Sequence, residues 1–392
     1  MRTQWGEHVK DHDRGDRFLN EPVSIYLDLV RFLAALAVLI GHGVQDGLYT
    51  GSFVLSSLSH EAVMVFFVLS GLVIAETSLR KGRDARAFLV ARAARIYPVV
   101  IPAIILSFGL YGLAGWLGIN APDWADDPDY SLSRLLGSLW FLNESWNSGM
   151  ILPWNSPYWS ICYEVFYYAL FGCLVFGRGA WRWLSFALVA LLAGPRILVL
   201  APIWAMGVWI AMDTRLRLRS PLLGLSLVIA SWAAVFWLDA SRFDHAVQDW
   251  LYATVPGWWR LSMSQYVVTD HLIGLLIMAN FIGFHACSAW FAGLMARIER
   301  PVRFMAGATF SLYLFHRPMT KFLSAAGVDT GNDPLAFTAL LMGITLLCVL
   351  LAEVTEKRRH GARRVAALAL ERLWPAREGQ VAAPARVGNS LF

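Results

Sequence analysis

The sequence predicts an all-α polytopic membrane protein of about ten transmembrane helices, with both termini in the cytoplasm. Three observations predict it. The 392-residue chain is 57% hydrophobic and only 16% charged, with a mean hydropathy of +0.51. Soluble domains run at about 45–50% apolar and about 25% charged. Apolar runs of membrane-spanning length recur along the chain, and the alternating ten-residue strands of an outer-membrane barrel do not. Lastly, the basic residues sort by loop. Of the 33 Lys and Arg, 26 fall on one side of the alternating spans and six on the other, the asymmetry that orients helices with the basic side cytoplasmic. The formal net charge of +5 therefore reports membrane orientation and does not imply nucleic acid.

Taken in order, residues 1–24 form a polar cytoplasmic segment of mixed sign, too hydrophilic and too long for the n-region of a cleavable signal. One membrane domain, 25–356, follows, with spans at 25–44, 61–79, 96–118, 158–177, 181–194, 197–212, 220–238, 266–286, 303–323 and 335–354. An even number returns the chain to its starting side. Residues 80–95 (RKGRDARAFLVARAAR) read as a basic amphipathic helix lying in the interface. Two long outer loops, 119–157 and 239–265, hold Trp124, Trp140, Trp146, Trp154, Trp250, Trp258 and Trp259. Such a set suits either an aromatic belt at headgroup level or a surface that stacks on sugar rings. The tail, 357–392, is basic, then Ala/Pro-rich, and reads as disordered beyond about residue 378. The four cysteines lie in apolar runs at no metal-like spacing and read as packing residues. No internal repeat of the kind used by inverted-repeat transporters is seen.

The polar residues inside the spans carry the functional signal, because a charge at membrane depth costs at least ~2.5–3.5 kcal/mol. The first span holds Asp28, Arg31 and His42. Eleven residues rise ~16 Å and complete three turns plus ~20°, so Arg31 and His42 point the same way from different depths. Asp28 lies within reach of Arg31 and offsets part of its cost. Span two carries the small pair Ser70-Gly71, suited to close helix approach. Span four opens Trp159-Ser160-Ile161-Cys162-Tyr163-Glu164, followed by Tyr167 and Tyr168. Span nine carries Tyr313 and His316. The span directions place His42, Glu164 and His316 in the outer half and Arg31, Arg92 and Arg95 in the inner half: proton-handling groups above, anion-binding groups below. Taken singly, each has a structural reading, such as a His bonded between helices or a neutral Glu bonded to a carbonyl. Asp270-His271 read as structural.

The ordered set is more specific than its members. Arg-x10-His in span one, FFVLSG in span two, RxxRIYP entering span three, WSxxxE in span four and YLxH in span nine together resemble the membrane acyltransferase-3 family, in its stand-alone form. The family comprises integral-membrane O-acyltransferases of bacterial surface glycans and some small molecules. Thr309 and Phe310 stand where the family has Ser and Tyr, Ile161 where it has Leu, and Lys357-Arg358 where it has Arg-Pro. The resemblance implies transfer of an acyl group, acetyl first, from cytoplasmic acyl-CoA to a hydroxyl of an extracytoplasmic glycan at the bacterial inner membrane, with no metal. Arg31, Arg92 and Arg95 would bind the coenzyme A phosphates. His42 would act as general base or, alternatively, as an acylated nucleophile. Glu164 would orient the imidazole or bind the acceptor, and His316 would hold the thioester carbonyl or leaving sulfur, with Trp159 and Tyr313 on the substrate. The matching acid after the last span is Glu356. A proton-coupled transporter or flippase remains the alternative class, since charged residues in spans also build ion pathways.

Overall fold

A computed structural model describes residues 18–373 apart from 52, 54, 81–83, 120–131, 147 and 149. All regular structure among the described residues is helical. The expected ten spans correspond to α1 (Glu21–Gln45), α2 (Glu61–Arg80), α3 (Ala85–Trp116), α5 (Tyr158–Phe176), α6 (Gly179–Ala193), α7 (Pro195–Met212), α8 (Pro221–Ala240), α10 (Val267–Cys287), α12 (Thr309–Ala325) and α13 (Pro334–Val354). Eight candidate spans are long and apolar enough to cross a bilayer. The 15-residue α6 and the 17-residue α12 fall short. Between and after them lie α4 (Leu132–Leu139), α9 (Phe243–Thr254), α11 (Ala292–Ala306) and α14 (Arg359–Leu373).

Local signals set several helix starts. Asn20 accepts the Val23 N–H at 3.0 Å and Ser220 the Leu223 N–H at 3.3 Å, each followed by a proline in the first turn. Asp333 caps α13 likewise. These pairings satisfy otherwise orphaned donors and pre-set φ for the helix. Glycines set the closest helix contacts. Gly71 lies against the Trp204 carbonyl and Gly207 against that of Val68, so α2 and α7 meet backbone to backbone; Gly224 and Gly283 do the same for α8 and α10. The Gly71 contact bears out the small-residue reading of span two.

Two expectations need correction, the interfacial helix and the start of the ninth span. Residues 85–95 do not form a separate interfacial helix; they are the first three turns of the 32-residue α3. Arg92 lies over the rings of Phe88 and Tyr168, 5.9 and 5.7 Å from their centroids, and this aromatic cover holds the turn within the bundle. The ninth span starts at Thr309, not 303, because Gly307-Ala308 breaks α11 from α12. The tail continues past 357 as α14, packed on α3 with an Arg86–Glu371 contact of 3.7 Å. The expected disorder beyond 378 lies outside the described residues, as does Trp124.

Helix α12 is the centre of the site. His316, Arg317 and Lys321 are buried in it, and it packs against α1, α3 and α13. So polar a helix is viable at membrane depth only inside protein. It runs parallel to α1 in constant register, His42 meeting His316 and Asp46 meeting Thr320, and α11 before it places Arg303 at Asp28. The bundle thus has an arginine end, with Asp28, Arg31 and Arg303, and a histidine end, with His42, Asp46 and His316.

Candidate active site

A cavity of about 780 Å³ occupies the arginine half of the bundle, walled by α1, α2, α3, α5, the α11–α12 junction and the turn at 356–357. Arg31 and Arg95 line it, as does Glu164. Asp28 divides its carboxylate between two guanidiniums, Oδ1 at 2.9 Å from Arg31 and Oδ2 at 3.2 Å from Arg303. Glu356 accepts from the Ser311 N–H at 3.1 Å and the Ser311 hydroxyl at 3.3 Å, so a residue after the last span caps the first turn of α12. Among the described residues Arg95 has no ion-pair partner, while the acceptors around it are engaged.

Glu164 sits with the arginines and not with the histidines. It accepts from the Ser70 hydroxyl at 2.5 Å and from the Tyr168 hydroxyl, and Trp204 Nε1 donates to Ser70 at 3.3 Å. The cause is local. Residues 152–155 fold inward, with Trp154 and Asn155 fully buried and Asn155 Nδ2 donating to the Leu314 carbonyl at 2.9 Å. Helix α5 therefore starts below the surface and carries Glu164 deeper than span arithmetic implies. Arg92 is behind Tyr168, outside the cavity wall.

Tyr313 and Ser160 line the cavity on the side of the histidines. Their hydroxyls are 2.7 Å apart, and Phe66 meets the Tyr313 ring edge-on at 5.4 Å. One turn beyond Tyr313 lies the imidazole pair. His42 Nδ1 is 2.8 Å from His316 Nε2, and His316 Nδ1 is 2.8 Å from the Leu312 carbonyl. A carbonyl only accepts, so His316 Nδ1 carries the hydrogen; in the neutral pair His316 Nε2 then accepts from His42 Nδ1–H. His42 Nε2 is left with its lone pair. His316 is fully buried and His42 partly exposed. The pair is held from the histidine end, where Arg317 donates to the His42 carbonyl at 3.3 Å and pairs with buried Asp46 at 3.1 Å. Lys321 also reaches Asp46, at 3.6 Å.

Trp159 lies off the cavity, stacked on His60 at 6.0 Å. His60 bonds Asp270 at 2.9 Å, so Asp270 pairs across helices and not with its neighbour His271. Burial alone would pull the His60 imidazole down, but the Asp270 charge and hydrogen bond outweigh it and push the group up to about 9. In the outer loop, burial raises the Glu144 carboxyl to about 7 despite Arg196 at 3.8 Å. The tryptophans divide: Trp154 is fully buried, while Trp140, Trp250 and Trp259 are more than half exposed. Sequence reasoning missed Arg303, which reads as one more basic loop residue, and Ser160, whose partner is 153 positions away. Among the described residues no group of three His, Cys, Asp or Glu could hold a metal.

Comparison with known proteins shows the family. Residues 24–353 match the model of the acyltransferase-3 family, described as an acyltransferase domain. The exopolysaccharide production protein ExoZ of Rhizobium meliloti (strain 1021) is 27% identical over 317 residues, 78% of this chain and 92% of that protein. The O-acetyl transferase of Shigella phage Sf6 is 34% identical over 89 residues, 22% of this chain and 26% of that protein. No solved structure matches. The chain belongs to the acyltransferase-3 family and is a multi-pass membrane O-acyltransferase.

Proposed function

We propose that the protein transfers an acetyl group from cytoplasmic acetyl-CoA, entering at the arginine end, to a hydroxyl of a cell-surface glycan arriving at the histidine end, in the bacterial inner membrane. The observation that carries this reading is the cavity itself: its wall holds Arg31 and Arg95 and, on the side of the histidines, Tyr313, one turn from His316. Arg31 and Arg95 bind donor phosphates, for which a guanidinium fork is suited, and Arg92 braces Tyr168 from behind. The acyl end passes Phe66 and Tyr313 toward His42, with Tyr313 contacting it.

His42 Nε2 takes the proton of the acceptor hydroxyl as its oxygen attacks the thioester carbonyl. The C–O bond forms, the C–S bond breaks, and the proton passes from His42 to the departing sulfur, leaving the ester and free CoA. His316 holds His42 in the tautomer that exposes Nε2, a role supported by the Leu312 carbonyl behind it, and not the contact with the thioester expected from sequence. Glu164 fixes Ser70 and Tyr168 beside the donor path. Trp159 positions His60 and borders the acceptor side. Names of the relatives, an exopolysaccharide production protein and an O-acetyl transferase, support a glycan acceptor and an acetyl group.

The test is saturable binding of acetyl-CoA to the detergent-purified protein, beside CoA release with a glycan acceptor. Arg95→Ala is expected to weaken binding about tenfold or more. His42→Ala should bind normally and lose about 10²–10⁴-fold in transfer. Full transfer by His42→Ala refutes the mechanism, and no binding by a folded wild type refutes the donor.

A further inference from the structure

We infer that the mouth of the cavity, where Phe304 at the end of α11 meets Lys357 and Arg303, is a subsite for the nucleotide half of the donor, with the purine against Phe304. The inference rests on the acetyl-CoA reading above and gives a role to Phe304, which no motif marks.

Depth is the first argument. Arg303 Nη1 reaches Asp28 Oδ2 at 3.2 Å and the Ser24 hydroxyl at 3.4 Å. Ser24 precedes His42 by eighteen residues on one helix, roughly 27 Å at 1.5 Å per residue. A thioester that approaches His42 past Tyr313 at one end of the cavity therefore leaves the far end of a long donor at Arg303. Arg31, roughly 16 Å below His42, is too high to meet that far end alone.

The chemistry of the mouth is the second argument. Phe304 lines the cavity, yet it is 51% exposed. Its ring carries the Lys357 ammonium 4.6 Å from the centroid. Half-exposed aromatic surface in a cavity mouth is unburied hydrophobic area with a π face, which a flat heteroaromatic ring covers by stacking without hydrogen-bond readout. Cations stand beside it that can turn to the attached phosphates: Lys357, which pairs with Glu353, Arg303, which pairs with Glu299 and Asp28, and Arg31 on the other oxygen of Asp28. A lipid-facing Phe would have neither the cavity behind it nor this flank of fixed charge.

The experiment compares binding of CoA, 3′-dephospho-CoA and 4′-phosphopantetheine to the full-length protein in detergent, for wild type, Phe304→Leu, Phe304→Trp and Arg95→Ala. Phe304→Leu is expected to weaken both purine-bearing ligands about tenfold and leave 4′-phosphopantetheine unchanged, with Phe304→Trp restoring wild-type binding. Wild-type CoA affinity in Phe304→Leu overturns the subsite while the donor reading stands. So does an equal loss for all three ligands, which marks a structural role for the ring. Absence of CoA binding by wild type overturns the donor reading and the subsite together.

Discussion

At the residue scale the decisive feature is a chain of donors whose direction is fixed from one end. The Leu312 carbonyl sets His316, His316 sets His42, and His42 Nε2 is left with its lone pair, the base of the proposed mechanism. His316 is therefore a positioning residue with one required property, an acceptor at the place of Nε2. His316→Ala is expected to lower kcat about 100-fold, within the span attributed to a positioned base, and to leave the KM for acetyl-CoA unchanged. His316→Gln, whose carbonyl oxygen can occupy that place, should retain more activity; equal losses in steady-state assays would remove the tautomer argument. A second residue-scale prediction concerns Asp46, which is fully buried and pairs with Arg317 and Lys321, each 8% exposed in its side chain. Asp46→Asn removes the carboxylate that these two buried cations share, a loss of about 3–5 kcal/mol, readable as a lower thermal midpoint in detergent. An unchanged midpoint would mean that water reaches the cluster.

At the element scale, length and composition made eight of the ten expected helices legible to within a few residues, because an apolar run of that length has few alternatives. The exceptions are instructive. The α12 start was misplaced because Arg303 and the residues after it look like one helix, and only packing shows that Gly307-Ala308 separates a surface helix from a central one. Glu164 was placed too high because the inward fold of residues 152–155 leaves no periodic signal. The imidazole pair was legible as two residues of similar depth, but the 274-residue separation hid the contact. Helix pairing makes its own predictions. Gly71→Ala or Gly207→Ala forces a methyl into the backbone of the partner helix, an overpacking cost of about 1–3 kcal/mol or more, and should lower the yield of folded protein, whereas Gly343→Ala, in open space on α13, should not. The His60–Asp270 pair ties the start of α2 to α10. With the imidazole at about 9 in the folded protein against its ordinary 6.5, the pair's contribution is complete below pH 6.5. It is lost as pH rises through 9, at up to about 1.4 kcal/mol per unit. Asp270→Asn should flatten stability across that window; an unaltered slope would place the titration elsewhere.

At the scale of the whole molecule, the arrangement has meaning only if its two ends face different compartments. On the proposed function the donor is a coenzyme A thioester, a cytoplasmic solute too large and too charged to cross a bilayer, and the acceptor is a glycan on the other side. The cavity mouth at Arg303 and Lys357 must then open to the cytoplasm, and partly exposed His42 must be approached from the opposite side. The distribution of basic residues, 26 against six, supports that orientation independently of the site, since it reflects insertion and not chemistry. The two arguments can be tested together by labelling. The native cysteines other than Cys173 are buried, so replacing Cys173 gives a quiet background. Gly361→Cys places a thiol in open space on α14, at the arginine end; Ala326→Cys places one on the exposed turn after α12, at the histidine end. A membrane-impermeant maleimide applied to intact inner membranes from outside should label Ala326→Cys at once and Gly361→Cys only after the membrane is opened. The reverse pattern would turn the arginine cavity away from the coenzyme A pool. The donor path proposed here would then fail even with every site residue correctly placed, because sidedness and not the local geometry decides which substrate each end can meet.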